Sequence, residues 1–191
     1  MNSGLKTALI ILGVIAVFAI GAVMYGVGEY NKVVAMDEQV KSQWAQVDNQ
    51  LKRRYDLIPN LVETVKGYAT HEKELFENLA NARTKYFQSN SVKDKVQASN
   101  QVEGLLSRLL VLRETYPQLK ANENFLKLQD SLEGTENRIA VERMRYNDTV
   151  KTLNTYRRTV LGRFFASLAG VNEAQYYEVP QAEKEAPKVK F

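Results

Sequence analysis

Apolar residues follow two different patterns along the chain. From Thr7 to Gly28 they form a nearly continuous run without a charged residue, TALIILGVIAVFAIGAVMYGVG. As a helix this run would be about 33 Å long, close to the ~30 Å hydrocarbon core of a bilayer. We therefore predict a transmembrane anchor over residues 1–29. Its lipid-facing side chains are expected to be Leu9, Ile10, Ile11, Leu12, Val14, Ile15, Val17, Phe18, Ile20 and Val23.

A cleaved signal peptide is the alternative interpretation of this run, since Gly26-Val27-Gly28 offers small residues at suitable offsets. The run is longer than the apolar segment of about 7–15 residues found in signal peptides, which favours an uncleaved anchor. The positive charges at the two ends of the run are nearly balanced, with Lys6 before it and Lys32 and Lys41 after it. Charge bias therefore leaves the orientation of the anchor in the membrane open. By analogy with signal-anchor proteins, we expect the soluble domain to lie outside the cytoplasm.

After the anchor, the apolar residues follow the α-helical period. From residue 33 to residue 69 they recur every 3.6 residues on average, whereas the residues of a strand would alternate. Pro59 interrupts this series without changing its phase, so we predict a kink there rather than a helix end. The positions expected to face a core are Val33, Met36, Val40, Trp44, Val47, Leu51, Tyr55, Ile58, Val62, Val65 and Ala69.

Capping and turn signals divide the rest of the domain into three more helices. Thr70 is placed to cap the second helix, and Ser91 with Asp94 resembles a capping box for the third. Pro117 ends the third helix, and the fourth begins near Asn122. The inward positions of the last two helices are expected to be Val92, Val96, Val102, Leu105, Leu106, Leu109, Leu112, Phe125, Leu128, Leu132, Ile139, Tyr146, Val150, Leu153 and Val160.

These elements predict an all-α fold, in which an N-terminal transmembrane helix is followed by an antiparallel four-helix bundle with two long and two short helices. The bundle is expected over residues 30–170, and a continuous helix through residue 88 is the main alternative. The apolar segment LGRFFASLAGV could contact lipid through Phe164, Phe165 and Leu168, or pack against the base of the bundle. Residues 171–191 are predicted to be an extended or disordered tail that is loosely attached from about residue 175.

Composition excludes several kinds of site. The chain of 191 residues has no cysteine, which excludes disulfides, thiolate metal sites and a thiol nucleophile. The net charge of +4 is small and basic residues are interleaved with acidic ones, so we expect no nucleic-acid binding. His71 is the only histidine and no glycine-rich phosphate loop occurs. We therefore expect no metal, no cofactor, no small-molecule substrate and no catalytic residue.

Charged and polar residues cluster after the middle of the first helix and at the start of the second. One interpretation is a solvated or interhelical charge network, because Arg53 and Asp56 are three apart and Asp48 and Arg54 flank the apolar stripe. The functional hypothesis is a partner-binding surface formed by Lys52, Arg53, Arg54, Asp56, Asn60, His71 and Glu72. Asn147 and Asn154 share a helix face, and we interpret them as buried structural residues.

One long motif carries a family resemblance. The run QVKSQWAQVDNQLKRRYDLIPNLVETVKGYATHEKE, the pair Ala82-Arg83 and the run ENRIAVERMRYNDTVKTLN resemble the LemA family, as do the closing residues PKVKF. The resemblance implies a transmembrane helix followed by about four antiparallel helices, in a bacterial protein. It implies no established molecular function, although roles in membrane remodelling or assembly have been proposed for the family.

Two functional hypotheses follow. The leading one is a non-enzymatic helical scaffold anchored in the bacterial inner membrane, which contacts the lipid bilayer and binds protein partners or itself. The alternative is a self-assembling membrane-remodelling protein, in which the anchor and residues 161–169 deform the bilayer. Ala22 and Gly26 lie four residues apart and could let two anchors pack closely.

Overall fold

The computed structural model describes the backbone of residues 3–178 and the side chains from residue 9 onward. Within that part of the chain all regular structure is α-helical, which confirms the predicted all-α class. The helices are α1 (Ser3–Tyr55), α2 (Ile58–Lys66), α3 (Lys73–Gln88), α4 (Val92–Thr115), α5 (Pro117–Lys120), α6 (Glu123–Arg158) and α7 (Val160–Leu168).

The N-terminal part of α1 exposes apolar side chains on every side. Each predicted lipid-facing residue from Leu9 to Val23 is exposed, by 50–76%. The core helix of a soluble protein would bury at least one face, so that explanation does not apply to this segment. Among the described residues, α1 begins the one stretch that is long and apolar enough to cross a membrane, judged by length and composition.

The chain divides into two compact units. Unit 1 takes its described residues from Met1–Lys41 and Thr149–Ala174, and unit 2 takes its from Ser42–Asp148 and Gln175–Phe191. The predicted core positions are confirmed as buried at Val33, Val40, Val47, Leu51, Tyr55, Ile58, Val65, Ala69, Val96, Val102, Leu106, Leu109, Phe125, Leu132, Ile139, Tyr146, Val150 and Leu153.

Within unit 2, aromatic side chains of α1 pack against α3 and α6. The rings of Tyr55 and Tyr86 meet edge to face with centroids 4.8 Å apart. The Trp44 ring contacts Tyr146 in the same manner at 5.3 Å. Such edge-to-face pairs contribute more stabilising free energy than their buried area alone would give. Trp44 is therefore a core or seam aromatic, as predicted.

The predicted kink at Pro59 is wrong, because the helix ends before it. Helix α1 stops at Tyr55 and α2 begins at Ile58, which places Pro59 in the first turn of a new helix. A proline has no N–H to donate to the carbonyl four residues earlier. That carbonyl, of Tyr55, instead accepts a hydrogen bond from Arg83 Nε at 2.9 Å. A side chain of α3 thus stabilises the break.

The second helix starts later than predicted. Thr70 does not cap it, because α3 begins at Lys73 and the capping position is occupied by Glu72, which makes no side-chain capping bond. Thr70 lies inside a turn that is closed by a bond from the Glu72 N–H to the Ala69 carbonyl at 3.2 Å. The non-helical residues between α2 and α3 also contradict the alternative of one helix through residue 88.

The starts of the third and fourth helices are confirmed. Ser91 Oγ accepts from the Asp94 N–H at 3.0 Å at the start of α4. Helix α4 ends just before Pro117, where a short helix begins. Asn122 Oδ1 accepts from the Phe125 N–H at 2.9 Å at the start of α6. Side-chain caps of this kind satisfy amides that have no partner within the helix.

The end of α6 differs from the prediction. Val160 was expected in the core and is 88% exposed. The helix breaks at Thr159, whose Oγ1 accepts from the Gly162 N–H at 3.0 Å. Because this cap starts α7 in a new direction, the inward stripe of α6 does not continue into Val160.

The segment after α7 is extended in the described residues 171–178. Gly170 has φ +67°, and the Val171 N–H bonds back to the Ala166 carbonyl at 2.9 Å, as in a Schellman turn. Tyr177 is buried, with 3% of its surface exposed. The prediction of loose attachment is therefore wrong for residues 175–178, and residues 179–191 lie outside the described residues.

Candidate functional site

The charged centre of unit 2 is Arg54. Its side chain lies inside, near the C-terminal end of α1, with Nη2 2.8 Å from Glu103 Oε2 of α4. Nη1 donates to a carboxylate oxygen of Glu136 and, at 3.1 Å, to the Leu132 carbonyl of α6. The buried Nε has no hydrogen-bond partner among the described residues. The terminal nitrogens of one guanidinium thus join three helices.

This arrangement balances charge as well as joining helices. Glu136 also accepts from Arg143 Nη2 at 3.5 Å, so two arginines face Glu103 and Glu136. Burying ions is costly unless each has a partner of opposite charge and further hydrogen bonds. For Arg54, an interhelical network is therefore the right interpretation, and this residue is not part of an exposed surface.

Asp48 is the centre of a second buried cluster in unit 2. Its carboxylate accepts from Tyr86 OH at 2.6 Å and Lys95 Nζ at 2.7 Å, and Lys52 Nζ lies 2.7 Å away. Burial alone would raise the pKa of Asp48, but the hydrogen bonds from Lys52, Lys95 and Tyr86 outweigh it and hold the pKa below 3.8. Burial and the Asp48 charge together raise the pKa of Tyr86 far above its usual range.

Three of the predicted partner-binding residues are exposed and lie apart from these clusters. Asp56 pairs with Arg83 of α3 at 3.2 Å, not with Arg53 as its spacing suggested. Arg53 lines a shallow hollow of about 480 Å³ with Asp130 and other residues of α6. Asn60 is exposed on α2.

The other two predicted residues, His71 and Glu72, lie at the start of α3. They line a different hollow of about 350 Å³, together with Arg108 of α4. His71 is exposed in the turn before the helix. Within residues 3–178, no three His, Cys, Asp or Glu side chains form an arrangement that could hold a metal ion. The described structure thus divides the predicted surface into separate parts.

Glu136 and Arg143 were not predicted as members of the buried network. A signal was nevertheless present, because the inward positions of α6 follow a heptad. Glu136 lies between the buried Leu132 and Ile139, and Arg143 lies between Ile139 and the buried Tyr146. A charge at an inward heptad position requires a partner in the interior.

Asn147 binds the extended C-terminal segment of unit 2. Its Nδ2 donates to the Tyr177 carbonyl at 3.0 Å and its Oδ1 accepts from the Tyr177 N–H at 2.9 Å. The Tyr177 hydroxyl shares a 2.6 Å hydrogen bond with Ser99 Oγ of α4, and burial raises its pKa. In unit 1, Asn154 pairs with both backbone groups of Ala174 in the same way. The asparagines are structural, as predicted, and their partner is the tail.

In unit 1, α7 lies beside the end of the apolar run. The Phe165 ring is buried, and its carbons lie 3.7 Å from where a side chain on Gly26 would begin. The Tyr156 hydroxyl of α6 donates to the Glu29 carboxylate, and Lys32 Nζ lies 4.7 Å from the Tyr156 ring centre. Phe165 of α7 therefore partly covers Gly26 of the same chain, whereas Ala22, the other small residue of the proposed packing pair, is exposed.

Unit 1 also contains a basic hollow of about 320 Å³. It is lined by Asn154, Arg157, Arg158, Arg163 and Glu173. No ion pair of these three arginines occurs within the described residues, although Glu173 lines the same hollow. Arg157 Nε is buried and has no hydrogen-bond partner in that part of the chain.

Comparisons with known proteins agree with the family resemblance of the long sequence motif. The sequence model of the LemA family matches residues 43–191. MamQ 1 and MamQ 2, two magnetosome proteins of Paramagnetospirillum magneticum, are each 23% identical over 204 aligned residues, which span 93% of this chain and 74% of theirs. The protein LemA of Metamycoplasma hominis is 24% identical over 132 residues, or 68% of this chain and 59% of its own. None of these names states an enzymatic reaction. The chain belongs to the LemA family.

Proposed function

We propose that the protein is a non-enzymatic helical scaffold of the bacterial inner membrane. Residues 1–29 are its transmembrane anchor, residues 30–170 its helical bundle and residues 171–191 its tail, and the bundle faces the extracytoplasmic side. One observation carries the proposal: every apolar side chain predicted to face lipid is exposed, on a helix long enough to cross a bilayer.

The order of contacts in unit 2 supports the antiparallel four-helix arrangement, with two long and two short helices. Gln43 of α1 bonds to Glu142 of α6 at 2.7 Å, whereas Arg54, further along α1, bonds to the earlier Leu132. Residue numbers therefore rise along one helix as they fall along the other. Opposite order of this kind is expected for antiparallel neighbours in a bundle.

Protein partners are expected at the exposed residues of the predicted surface. Arg53, Asp56 and Asn60 have the accessibility that such a surface needs. A photo-crosslinking residue at Asn60, in the full chain in bacterial membranes, should give adducts that the substitution Arg53→Glu reduces. The same residue at Lys93, an exposed position of α4, is the control.

Membrane anchoring is tested by alkaline carbonate extraction of membranes from cells that express the full chain. The protein should stay with the membrane, and the double substitution Ile15→Lys and Phe18→Lys should release it, since charges in the bilayer interior are costly. A control with Gln97→Lys and Gln101→Lys, both exposed on α4, should be retained. Release of the unsubstituted protein by carbonate would contradict the proposal.

The side of the membrane can be tested separately, because the chain has no cysteine. A single cysteine, Asn60→Cys, should react with a membrane-impermeant thiol reagent only in inner-membrane vesicles whose outer face is exposed to the reagent. Reaction in vesicles that expose the cytoplasmic face would contradict the proposed orientation but not the proposed anchor.

The second candidate function is self-assembly that remodels the membrane. The exposed apolar side chains of α7 favour it, because they lie beside the end of the proposed anchor. Vesicles that contain the full chain should then deform, and Phe164→Glu should abolish the deformation. Vesicles that keep their shape at all protein densities would leave the scaffold as the proposed function.

A further inference from the structure

Helix α7 presents an apolar surface with no cover in the described residues. At 100° per residue its exposed apolar side chains fall within an arc of about 100°. The opposite side of the helix, with Gly162, Phe165 and Ala166, is buried. The exposed side chains are Val160 (88%), Leu161 (48%), Phe164 (63%) and Leu168 (64%).

Two features of unit 1 put this surface at the level of a membrane interface. Phe165 packs over Gly26, in the last turn of the uncharged run. The Tyr156 side chain, near the end of α6, bonds to Glu29, which is the first charged residue after that run. Charged residues and tyrosines at the ends of a transmembrane helix lie at the depth of the lipid headgroups. An apolar helix side at this depth can enter the boundary between headgroups and acyl chains.

The arginines on α7 and at the end of α6 have the charge that suits such a surface. Arg157, Arg158 and Arg163 line one hollow and form no ion pair within the described residues, with Glu173 as the opposing charge in its wall. The buried and unbonded Nε of Arg157 is an unused donor. A guanidinium binds phosphate through paired donors, and such hydrogen bonds are among the strongest in proteins.

We infer that α7 lies on the bilayer surface and that Arg157, Arg158 and Arg163 bind the phosphate groups of anionic phospholipids. This inference rests on the proposed anchor, because the bilayer is at the right depth only if residues 7–28 span it. Phe164 and Leu168 would enter the acyl boundary while the three arginines hold the headgroups. The occupant is a lipid surface, and a second copy of the chain is the competing outcome.

The test uses the absence of cysteine in the full chain. A single cysteine, Leu168→Cys, carries a polarity-sensitive fluorophore, and the protein is reconstituted in two kinds of vesicle. One is phosphatidylcholine alone, and the other contains equal parts of phosphatidylcholine and phosphatidylglycerol. We expect blue-shifted emission and quenching by lipid-attached quenchers in the anionic vesicles. Lys151→Cys, an exposed position of α6 in the same unit, should show neither.

Two sets of substitutions separate the apolar part of the contact from the charged part. Phe164→Glu should abolish the blue shift in the anionic vesicles. Arg157→Gln, Arg158→Gln and Arg163→Gln should lower the ratio of docked to undocked α7 in anionic vesicles by about fivefold for each arginine removed. The charge-matched control is Lys85→Gln with Lys93→Gln and Arg108→Gln, all exposed on α3 and α4. This control should leave the ratio unchanged.

Each other outcome overturns a defined part of the inference. Equal docking in both kinds of vesicle, or docking that survives loss of the arginines, overturns phospholipid binding by the arginines. If inorganic phosphate abolishes the preference of α7 for anionic vesicles at matched ionic strength, the arginines form a site for the free anion. Emission that shifts only at high protein density, with no lipid quenching, shows a contact between copies. Carbonate extraction of the same samples separates these results from failure of the anchor.

Discussion

Two arginines on one helix have opposite surroundings. Arg143 and Arg157 of α6 are two heptads apart, so they occupy the same position of the repeat, the first in unit 2 and the second in unit 1. Arg143 contacts Glu136 at 3.5 Å and lies 5.1 Å from the ring centre of Tyr177. Arg157 forms no ion pair within the described residues, and its buried Nε is unbonded there.

The difference separates charges that stabilise the fold through ion pairs between helices from charges that form no ion pair within the described residues. In unit 2, arginines and glutamates are matched between helices, and removing one member would leave a buried charge without its partner. In unit 1, removing an arginine leaves no carboxylate behind within the described residues. We expect the first group to determine stability and the second to determine what the protein binds.

The largest expected effect is that of Arg54→Met. It removes the cation that Glu103 and Glu136 share, and breaking a buried pair in this way costs about 3–5 kcal/mol. Since 41% of the Glu136 side chain is exposed, solvent reduces the cost to about 3 kcal/mol. For a chain of this size we expect the melting temperature to fall by about 6–12 °C, measured by circular dichroism on the full chain in detergent.

The matched control is its exposed neighbour. Arg53→Met should change the free energy of unfolding by less than about 0.5 kcal/mol, because surface substitutions rarely do more. Equal effects at the two positions would mean that the Arg54 network does not stabilise unit 2.

The next largest effect is expected at Gly162, which fixes the corner between α6 and α7. A Cβ at this position would lie 1.9 Å from the Tyr156 carbonyl oxygen, so backbone must move. Gly162→Ala should destabilise the protein by about 1–3 kcal/mol, as overpacking does. It should also lower membrane contact of a fluorophore at Leu168→Cys.

A second glycine makes this test specific. Gly104 of α4 has nothing within 4 Å of an added Cβ, so Gly104→Ala should stabilise the helix by up to about 1 kcal/mol. Thermal unfolding of both variants should therefore show opposite signs. A stabilising Gly162→Ala would contradict the tight corner.

The fold could be predicted largely from local signals, and the error at Pro59 arose where a contact from a distant residue stabilises the structure. Helical spacing located most core positions, and Ser91 and Asn122 marked real helix starts. Pro59 alone is compatible with a kink or with a break. In the structure, Arg83 of another helix bonds to the freed Tyr55 carbonyl and stabilises the break, and no local pattern contains that information.

The candidate site was harder to predict because neighbours in sequence point in different directions on a helix. Arg53 and Arg54 are adjacent and were grouped, yet a rotation of about 100° puts the first outside and the second inside. Asn147 was correctly interpreted as structural. Its partner Tyr177 lies in a segment predicted to be loose, and composition does not reveal that a backbone segment will bind a side-chain amide.

A smaller effect is expected from the second buried cluster, and it depends on pH. Tyr86→Phe removes one of the hydrogen bonds to Asp48 and should cost about 1.5–3 kcal/mol, reduced towards the lower value because Lys52 and Lys95 remain. The pKa of Asp48 is lowered from 3.8 in the folded protein. Its stabilisation is therefore complete above about pH 5 and is lost as pH falls below 3.8 and through the folded-state pKa.

The measurement is the free energy of unfolding as a function of pH in urea. Asp48→Asn should make the loss of stability below pH 3.8 shallower than in the unsubstituted protein. Asp94→Asn serves as the control for an exposed carboxylate. An unchanged slope in Asp48→Asn would place the acid sensitivity elsewhere in the protein.

The smallest effect on stability is expected at Arg157. Arg157→Gln strands no carboxylate within the described residues and relieves repulsion from Arg158 and Arg163, so the free energy of unfolding should change by less than about 0.5 kcal/mol. Arg143→Gln, at the same heptad position, removes one of the two arginines that bind Glu136 and the cation beside the Tyr177 ring, and should cost more. Urea unfolding of the two variants in detergent, where anionic lipid is absent, makes the test independent of membrane contact. If both arginines prove equally important for stability, the division into structural and available charges is wrong. If only the Arg143 substitution lowers stability, the charge of Arg157, unpaired within the described residues, does not stabilise the fold and requires an explanation other than stability.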